Sequence, residues 1–513
     1  MDSKTKKKIL GIELGSTRIK SVIIGEDFTP MASGDFVWQS KFENGIWTYN
    51  LEDAWRGIKT SLSKLGGLSA DVDIAGISAM MHGYLAFDKD WNLLVPFRTW
   101  QNTITGEAAE ELTTLFNFNI PQRWSIAHTY QAVLNGEEHI KKLAHVTTLS
   151  GYITYKLTGV NAVGLGEASG MFPISDNMDY DEEAVRKFDK LLESKEIDLK
   201  LREIFPKVLP AGEIAGIVTK EGAALVDGLI REGTPLCPPE GDAGTGMVAT
   251  NAVTPGTGNI SAGTSVFSMI VLDKPLSSVH EEIDVVATPA GKTVAMVHGN
   301  NCTTDMNSWV ALFDEAFKMF GIDIERGKLF EKLYLKSLEG DPDAGGLGIV
   351  NYLSGESVTH MDAGRPIITR TPESNFSLAN FSKASLYSTI ATLKIGMDML
   401  AAEGVKVNSI TGHGGLFKTP GVGQRYMAAA CGAPVTCMET SGEGGPYGMA
   451  LLAAYSLMKD NGESLESFLG IRVFSDVKTV TVSPDPRDVE GFDKYMETYK
   501  KMLELEKLAI EIL

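Results

Sequence analysis

ILGIELGSTRIKSVII, residues 9–24, holds two apolar stretches around a tight polar turn. Ile9–Ile12 and Val22–Ile24 read as paired strands, and Gly15-Ser16-Thr17-Arg18 as the reversal between them. Such a turn is either a plain hairpin or a cradle whose backbone N–H and side-chain O–H donors face a phosphate. About half the chain later, NISAGTSVFSMIVL (Asn259–Leu272) repeats the pattern, with Gly263-Thr264-Ser265 at the turn. A repeat on that scale points to two structurally related domains rather than a solenoid.

The bulk properties agree with this reading. A chain of 513 residues is too long for one hydrophobic core. The turn-rich zone around GDAGTGMVATNAVTPGTGN places the boundary near Pro255, giving domains 1–255 and 256–513. A net charge of -19 argues against binding nucleic acid through its phosphates, though not against a small phosphate compound held by local donors and a metal ion. The four cysteines, Cys237, Cys302, Cys431 and Cys437, form no C-x-x-C pair, so neither a disulfide framework nor a zinc site is expected. The basic start (Lys4, Lys6, Lys7, Lys8) precedes an apolar run broken by Glu13, unlike a signal peptide, and no stretch approaches the ~20 apolar residues of a membrane span. The expected setting is the cytoplasm.

Periodicity places a helix over Ala54–Leu65, a buried strand over Asp73–Ser78, and helical segments over Glu107–Thr158, Asp181–Phe205, Asn307–Lys336 and Lys383–Ala402. A strand ends at Ile410 before a Gly-rich loop, and Val489–Leu513 reads as a long terminal helix. The alternation implies mixed α/β domains. No complete Walker A or G-x-G-x-x-G pattern occurs.

Three residues stand out chemically. Glu13 is either a solvent-facing strand residue or, beside a phosphate turn, a carboxylate that holds magnesium through water. Asp242, in PPEGDAGTG, is either a turn aspartate or a general base presented by glycines. His82, in MMHG, follows a strand end, where ligands gather in open α/β sheets; a structural histidine is the other reading.

In order and spacing these segments resemble the FGGY carbohydrate kinases over nearly all of residues 9–455. GIELGSTRIK looks like the first phosphate hairpin of that family, ISAMMHG like the substrate loop of xylulokinases, and GDAGTGM like the region of the catalytic aspartate. LSGYITYKLTG, GEASGMFPI and NYLSGE (Asn351–Glu356) are similar to further landmarks. NISAGTS resembles the second phosphate hairpin, GHGGLFKTP the adenosine loop, and GEGGPYGMALLAA the helix start after it. Three departures are visible. Glu13 stands where the family usually has Asp, TWQN (Thr99–Asn102) where xylulokinases tend to have Trp-Asn-Asp, and Ala243 where they have an amide. Ala243, GGLFK and GNNCTTDMNSW lean toward ribulokinases.

The resemblance implies an α/β, two-domain, actin-like ATPase (ribonuclease H-like) fold with a cleft between the domains. It implies ATP and magnesium as cofactors and a ketopentose or related sugar as acceptor, with no nucleic acid and no membrane, and it allows a homodimer. Asp242 is then the catalytic base, and Glu13 and Asp242 the metal side. Gly15, Ser16, Thr17, Gly263, Thr264 and Ser265 serve the phosphates, Gly414 and Gly415 the adenosine, and Met81, His82, Trp100 and Asn102 the sugar. The readings it competes with are a sugar sensor that has lost transfer and another ATPase of the actin and chaperone type.

Overall fold

Ile9, Leu10, Ile12 and Leu14 are all fully buried, so the first strand, Lys8–Leu14, has cover on both faces rather than an alternating pattern. It pairs antiparallel with Arg18–Gly25, which pairs antiparallel with Pro30–Val37. On its other edge it pairs parallel with Ile74–Ala79, the buried strand expected from DIAGIS. Pro235–Leu236, Gly216–Ile217 and Glu240–Gly241 complete the sheet. The computed structural model describes residues 7–438 and 444–513. Lys4, Lys6, and the Gly442 and Glu443 that open GEGGPYG, lie outside the described residues.

The chain divides into two compact units, and they are not two contiguous halves. The first comprises Met1–Thr254, Asp284–Val294 and Glu443–Val477; the second comprises Pro255–Ile283, Ala295–Gly442 and Lys478–Leu513. The first crossing, between Thr254 and Pro255, falls in the turn-rich zone, while the two returning segments carry no local composition signal. The later one supplies helix Gly445–Met458, buried continuously from Pro446 to Tyr455, as an apolar helix without a polar face must be. It lies on the first strand so closely that a Cβ at Gly11 would stand 2.0 Å from the Pro446 carbonyl and 2.6 Å from the Ala450 nitrogen. Its other side meets helix Asp242–Ala249, where a Cβ at Gly448 would reach the Thr245 carbonyl at 1.9 Å.

The second unit repeats the plan. Thr257–Ala262 and Val266–Val271 form an antiparallel hairpin, and the first of these strands pairs parallel with Ser409–His413. Val435–Met438 and Thr479–Val482 extend that sheet. Helix Leu378–Ala402 runs through the core of this unit. The terminal helix Pro486–Ile512 is fastened to that core by Tyr495, whose hydroxyl donates to the carbonyls of Ile349 (3.0 Å) and Ala384 (3.2 Å). The helical stretch expected over 307–336 is two helices, Thr304–Met319 and Arg326–Ser337. Gly321, at φ 71°, follows the end of the first, a left-handed position that glycine adopts without strain. Likewise 181–205 is helix Glu182–Ser194 followed by the short Leu201–Ile204.

The Gly11 contact makes a direct prediction. Gly11→Ala forces a methyl into backbone atoms that cannot rotate away, and overpacking of this kind costs about 1–3 kcal/mol or more. We expect a lowered urea midpoint with an unchanged denaturant slope; an unchanged midpoint would show that the helix is not seated on this strand.

Candidate functional site

In both hairpins the carbonyls of the turn are tied back by other parts of the same unit. In the first, the Trp38 indole N–H donates to the Gly15 carbonyl (2.7 Å), the Tyr49 hydroxyl to the Ser16 carbonyl (2.7 Å), and the Trp38 backbone N–H to the Thr17 carbonyl (3.2 Å). In the second, the Gly263 carbonyl accepts from the Thr303 N–H (3.0 Å) and hydroxyl (2.6 Å). The Thr264 carbonyl accepts from the Cys302 N–H (3.0 Å) and the Thr304 hydroxyl (3.3 Å). The Gly15 N–H is closed onto the Arg18 carbonyl (3.0 Å) and the Gly263 N–H onto the Ser265 carbonyl (2.9 Å), so what a turn can offer an anion is its later N–H groups and its hydroxyls, not the backbone donor of its first glycine. Gly414, at φ 100°, lies against the base of the second hairpin, where a Cβ would sit 2.5 Å from the Ala262 carbonyl. Only glycine fits there. The neighbouring Gly415 is under no such constraint, since its Cβ would have the Ala262 carbonyl at an ordinary 3.9 Å.

NYLSGE, a landmark without an assigned task, supports this second hairpin. The Asn301 side-chain oxygen accepts from the N–H groups of Leu353 (2.9 Å) and Ser354 (3.1 Å), and the Asn351 amide donates to the Cys302 carbonyl (2.8 Å). The Glu356 carboxyl accepts from the Asn301 backbone and side-chain N–H groups, both at 3.2 Å, and burial pushes it up to about 7. Segment 301–304 is thereby fixed beneath the turn.

The first unit gathers the acids. Asp242 opens its helix, and one carboxylate oxygen accepts from the Met81 N–H at 3.1 Å. Burial raises its carboxyl to about 6, against the N–H groups of Met81, Ala243 and its own backbone, which favour the charged form. Glu13 lies against the first residue of helix Gly445–Met458, where a Cβ on Gly445 would be 2.4 Å from its Oε1. Burial and the Asp242 charge push Glu13 up to about 7, with Lys20, its cross-strand partner, pulling the other way. The strand-face reading of Glu13 as a solvated residue is thus replaced by a half-buried carboxyl that senses Asp242.

Two further acids escaped the sequence reading. Glu240 accepts from the N–H groups of Gly166 (3.2 Å) and Glu167 (2.8 Å), and burial raises it to about 8. Glu167 is fully buried and raised well above the usual carboxylate range by burial, with Glu240 and Asp242 adding to it. Glycines make the room: a Cβ on Gly164 would meet Glu240 at 2.3 Å, and one on Gly241 would meet Glu167 at 2.4 Å. A charged residue inside a glycine-rich apolar run, in GLGEASG and in PPEGD, was the available signal.

On the loop after strand Ile74–Ala79, His82 has φ 72° and Gly83 φ 96°. A histidine in the left-handed region is held there by its surroundings. Its Nδ1 lies 3.0 Å from the Gly170 carbonyl, which can only accept, so Nδ1 carries the proton and Nε2 is the acceptor nitrogen of the neutral ring. The ring stacks on Trp124 at 6.3 Å. Arg123, which precedes Trp124, accepts at its carbonyl from the Gly83 N–H (3.2 Å) and pairs its guanidinium with Asp284. Neither residue of that pair was singled out from sequence, because Asp284 comes from a distant returning segment.

The two sugar-side residues of TWQN each make contacts within the first unit. Asn102 is buried, and its amide is committed to backbone: Oδ1 accepts from the Trp47 N–H (2.8 Å), while Nδ2 donates to the carbonyls of Trp47 (2.8 Å) and Thr99 (2.9 Å). It holds a turn, with both of its amide N–H groups committed to backbone carbonyls. Trp100 directs its indole N–H to the Ser16 hydroxyl at 3.2 Å. Met81, His82 and Asp242 are brought together in the first unit, with Gly15, Ser16, Thr17 and Trp100 at its hairpin. Gly263, Thr264, Ser265, Gly414 and Gly415 are brought together in the second.

Comparison with known proteins gives the class. Residues 8–249 match the N-terminal domain, and residues 258–457 the C-terminal domain, of the FGGY family of carbohydrate kinases, and the chain belongs to that family. It is 24% identical over 405 residues to a xylulose kinase of Haemophilus influenzae, covering 77% of this chain and 76% of that one. It is 23% identical over 427 residues to a xylulose kinase of Klebsiella pneumoniae, covering 79% and 81%. Among solved structures it is similar to a xyloylose kinase from Brucella ovis, with TM-score 0.79, 17% identity, and 97% and 99% of the two chains covered. A gluconate kinase from Lactobacillus acidophilus superposes with TM-score 0.79 at 16% identity, covering 98% of each chain. The fold is the two-domain actin-like ATPase fold, and the protein is an ATP-dependent sugar kinase. No helix among the described residues is long and apolar enough to cross a membrane.

Two outcomes follow from these hydrogen bonds. Asn102→Asp leaves the carbonyls of Trp47 and Thr99 facing a carboxylate that cannot donate, so we expect a loss of about 1–3 kcal/mol in thermal or urea unfolding, with substrate preference among ketopentoses unchanged. Glu356 has a folded value above its ordinary 4.5, so its contribution to stability is complete below about pH 4.5 and lost as pH rises through about 7. The ceiling is about 3 kcal/mol. In urea titrations, Glu356→Gln should gain on wild type between pH 5 and 8; parallel pH profiles would remove Glu356 from this account.

Proposed function

We propose that the acceptor sugar is a ketopentose of the xylulose or ribulose type and that Asp242 takes the proton of its attacking hydroxyl. The observation that carries this is the bond from the Met81 N–H to the Asp242 carboxylate, which fixes that carboxylate to the loop that bears His82. Raised to about 6, Asp242 is still largely ionised at neutral pH, yet more basic than a free aspartate, as a general base should be. His82 brings its imidazole, anchored through Nδ1 to the Gly170 carbonyl, to the same loop, and Met81 an apolar wall. The names of the curated relatives support a xylulose-type substrate, and the ribulokinase-like Ala243 supports keeping ribulose beside it.

Each hairpin offers hydrogen-bond donors to the phosphates of ATP. Glu13 and Asp242 suit magnesium, because a hard oxygen group pushed up by its neighbour's negative charge, as Glu13 is by Asp242, would be relieved by a cation, and magnesium is content with one or two carboxylates and several waters. Held there, the ion would supply positive charge against the phosphates. The protein's own contribution is to place the hydroxyl, hold the phosphates and accept one proton. All four cysteines are free thiols, which suits a reducing cytoplasm.

The test is ADP release with D-xylulose, L-xylulose, D-ribulose, L-ribulose and D-gluconate as acceptors. A ketopentose should stimulate turnover. Sugar binding without turnover would make the protein a sensor, and gluconate as the favoured acceptor would overturn the ketopentose assignment. In Asp242→Asn we expect kcat to fall about 10²–10⁴-fold with ATP affinity, measured by calorimetry, nearly intact. A near-normal kcat would remove Asp242 from the role of base.

A further inference from the structure

Glu240 and Asp242 stand two residues apart at the end of one short strand, and each reaches the MMHG loop by a different route. Glu240–Gly241 pairs parallel with Ser78 and Ala79, the end of the strand from which that loop departs. Asp242 takes the Met81 N–H directly, at 3.1 Å. Glu240 reaches the next residue, His82, through a relay of backbone groups. Its carboxyl accepts from the Glu167 N–H (2.8 Å), the Glu167 carbonyl accepts from the Gly170 N–H (3.0 Å), and the Gly170 carbonyl accepts from Nδ1 of His82 (3.0 Å). The three bonds run head to tail, the arrangement in which each polarises the next.

The relay is held at both ends. Helix Leu165–Ala168, which carries it, is buried at every residue. A Cβ on Gly166 would stand 2.6 Å from Glu240 Oε2, and one on Gly170 2.6 Å from His82 Nδ1, so glycine lets the segment close on the carboxyl at one end and on the imidazole at the other. The first turn of a helix has N–H groups without intrahelical partners. Glu240 takes two of them, from Gly166 (3.2 Å) and Glu167. The Ser169 hydroxyl accepts from the Ala287 N–H (2.8 Å) and donates to the Gly166 carbonyl (2.6 Å), which pins the same segment from the returning strand. Stacking on Trp124 holds the plane of the His82 ring. It does not choose which ring nitrogen faces Gly170; the position of the Gly170 carbonyl does. A carboxyl is costly to bury, and what this one secures is the seat of that carbonyl.

We propose that Glu240 is a positioning residue for His82: it seats helix Leu165–Ala168, and with it the Gly170 carbonyl that fixes the orientation and tautomer of the imidazole. The inference rests on the proposed function in taking His82 as a residue of the sugar side. Glu240 touches no reacting atom in this scheme; it acts through Glu167 and Gly170. A carboxyl that merely completed the core would change stability alone, whereas this one should separate affinity for the sugar from affinity for the nucleotide.

The experiment uses the full chain and two variants. Glu240→Gln keeps the length and removes one acceptor; Glu240→Asp keeps both acceptors and draws them back by one methylene, so a folding failure of one leaves the other to decide. In wild type labelled at its histidine nitrogens, magnetic resonance should show His82 with its proton on Nδ1, the signal being assigned by its loss in His82→Ala. In either Glu240 variant that signal should shift or split. KM for the acceptor should rise about fivefold to tenfold, with KM for ATP within about twofold of wild type. In a His82→Ala background the same substitutions should raise the acceptor KM by no more than a further factor of about two. A wild-type His82 without a proton on Nδ1, a signal unmoved in the variants, equal losses for acceptor and ATP, or additive losses in the His82→Ala background would each overturn the inference. The acceptor is whichever of D-xylulose, L-xylulose, D-ribulose and L-ribulose best stimulates ADP release. If none does while the His82 signal moves as expected, the ketopentose reading fails and the positioning of His82 by Glu240 stands.

Discussion

The first unit depends on the distance between one strand and one helix. Strand Lys8–Leu14 is apolar on both faces and must be covered on both. The helix that covers it, Gly445–Met458, comes from the far end of the chain and approaches to where a single methyl on Gly11 would collide with backbone. That approach sets the rest. It presses Gly445 against the Glu13 carboxyl and Gly448 against the helix that Asp242 opens, so the two acids are held on elements packed about one helix. A dispersion-and-burial contact with no polar component thus determines where the charged groups of the site stand.

The acids illustrate how the environment divides labour among like groups. Asp242 remains the most readily ionised of the three whose values are resolved, at about 6, because backbone N–H groups favour its charged form. Glu13 at about 7 has Lys20 as its counterweight and Asp242 as its opponent. Glu240, at about 8, is deeper, and three N–H groups do not fully offset its burial. Glu167 stands above the usual range with the charges of both Glu240 and Asp242 against it. The result is a graded set in which burial raises every carboxyl and backbone N–H groups hold Asp242 lowest of those with a value.

The two hairpins show a different economy. In each the carbonyls are occupied, yet by unrelated means: in the first unit by Trp38 and Tyr49, in the second by the Cys302–Thr304 segment that Asn301, Asn351 and Glu356 hold in place. The repeated strand plan is common to both, and the supporting residues are not. This explains why the turn motifs were readable in the chain, whereas Trp38 and Tyr49 were not, and why NYLSGE and GNNCTTDMNSW stood out without their task as supports being visible.

The amino-acid sequence by itself determined the elements whose cause is local. Apolar runs broken by Gly-Ser-Thr and Gly-Thr-Ser became the hairpins, DIAGIS became a buried strand, and the order of motifs identified an FGGY kinase. Period and turn chemistry are short-range properties, and they survive folding. What only the tertiary structure decided is what depends on partners far away in the chain. Segments Asp284–Val294 and Glu443–Val477 return to the first unit; the apolar helix of the later one needs burial, but which strand it covers is settled only by the fold. Asn102, placed with the sugar by resemblance, gives both its N–H groups to Trp47 and Thr99, and Glu167 and Glu240 fit because glycines 74 or 76 residues away leave room for them. A side chain's donors and acceptors are spelled out in the sequence; which atoms satisfy them is a matter of packing.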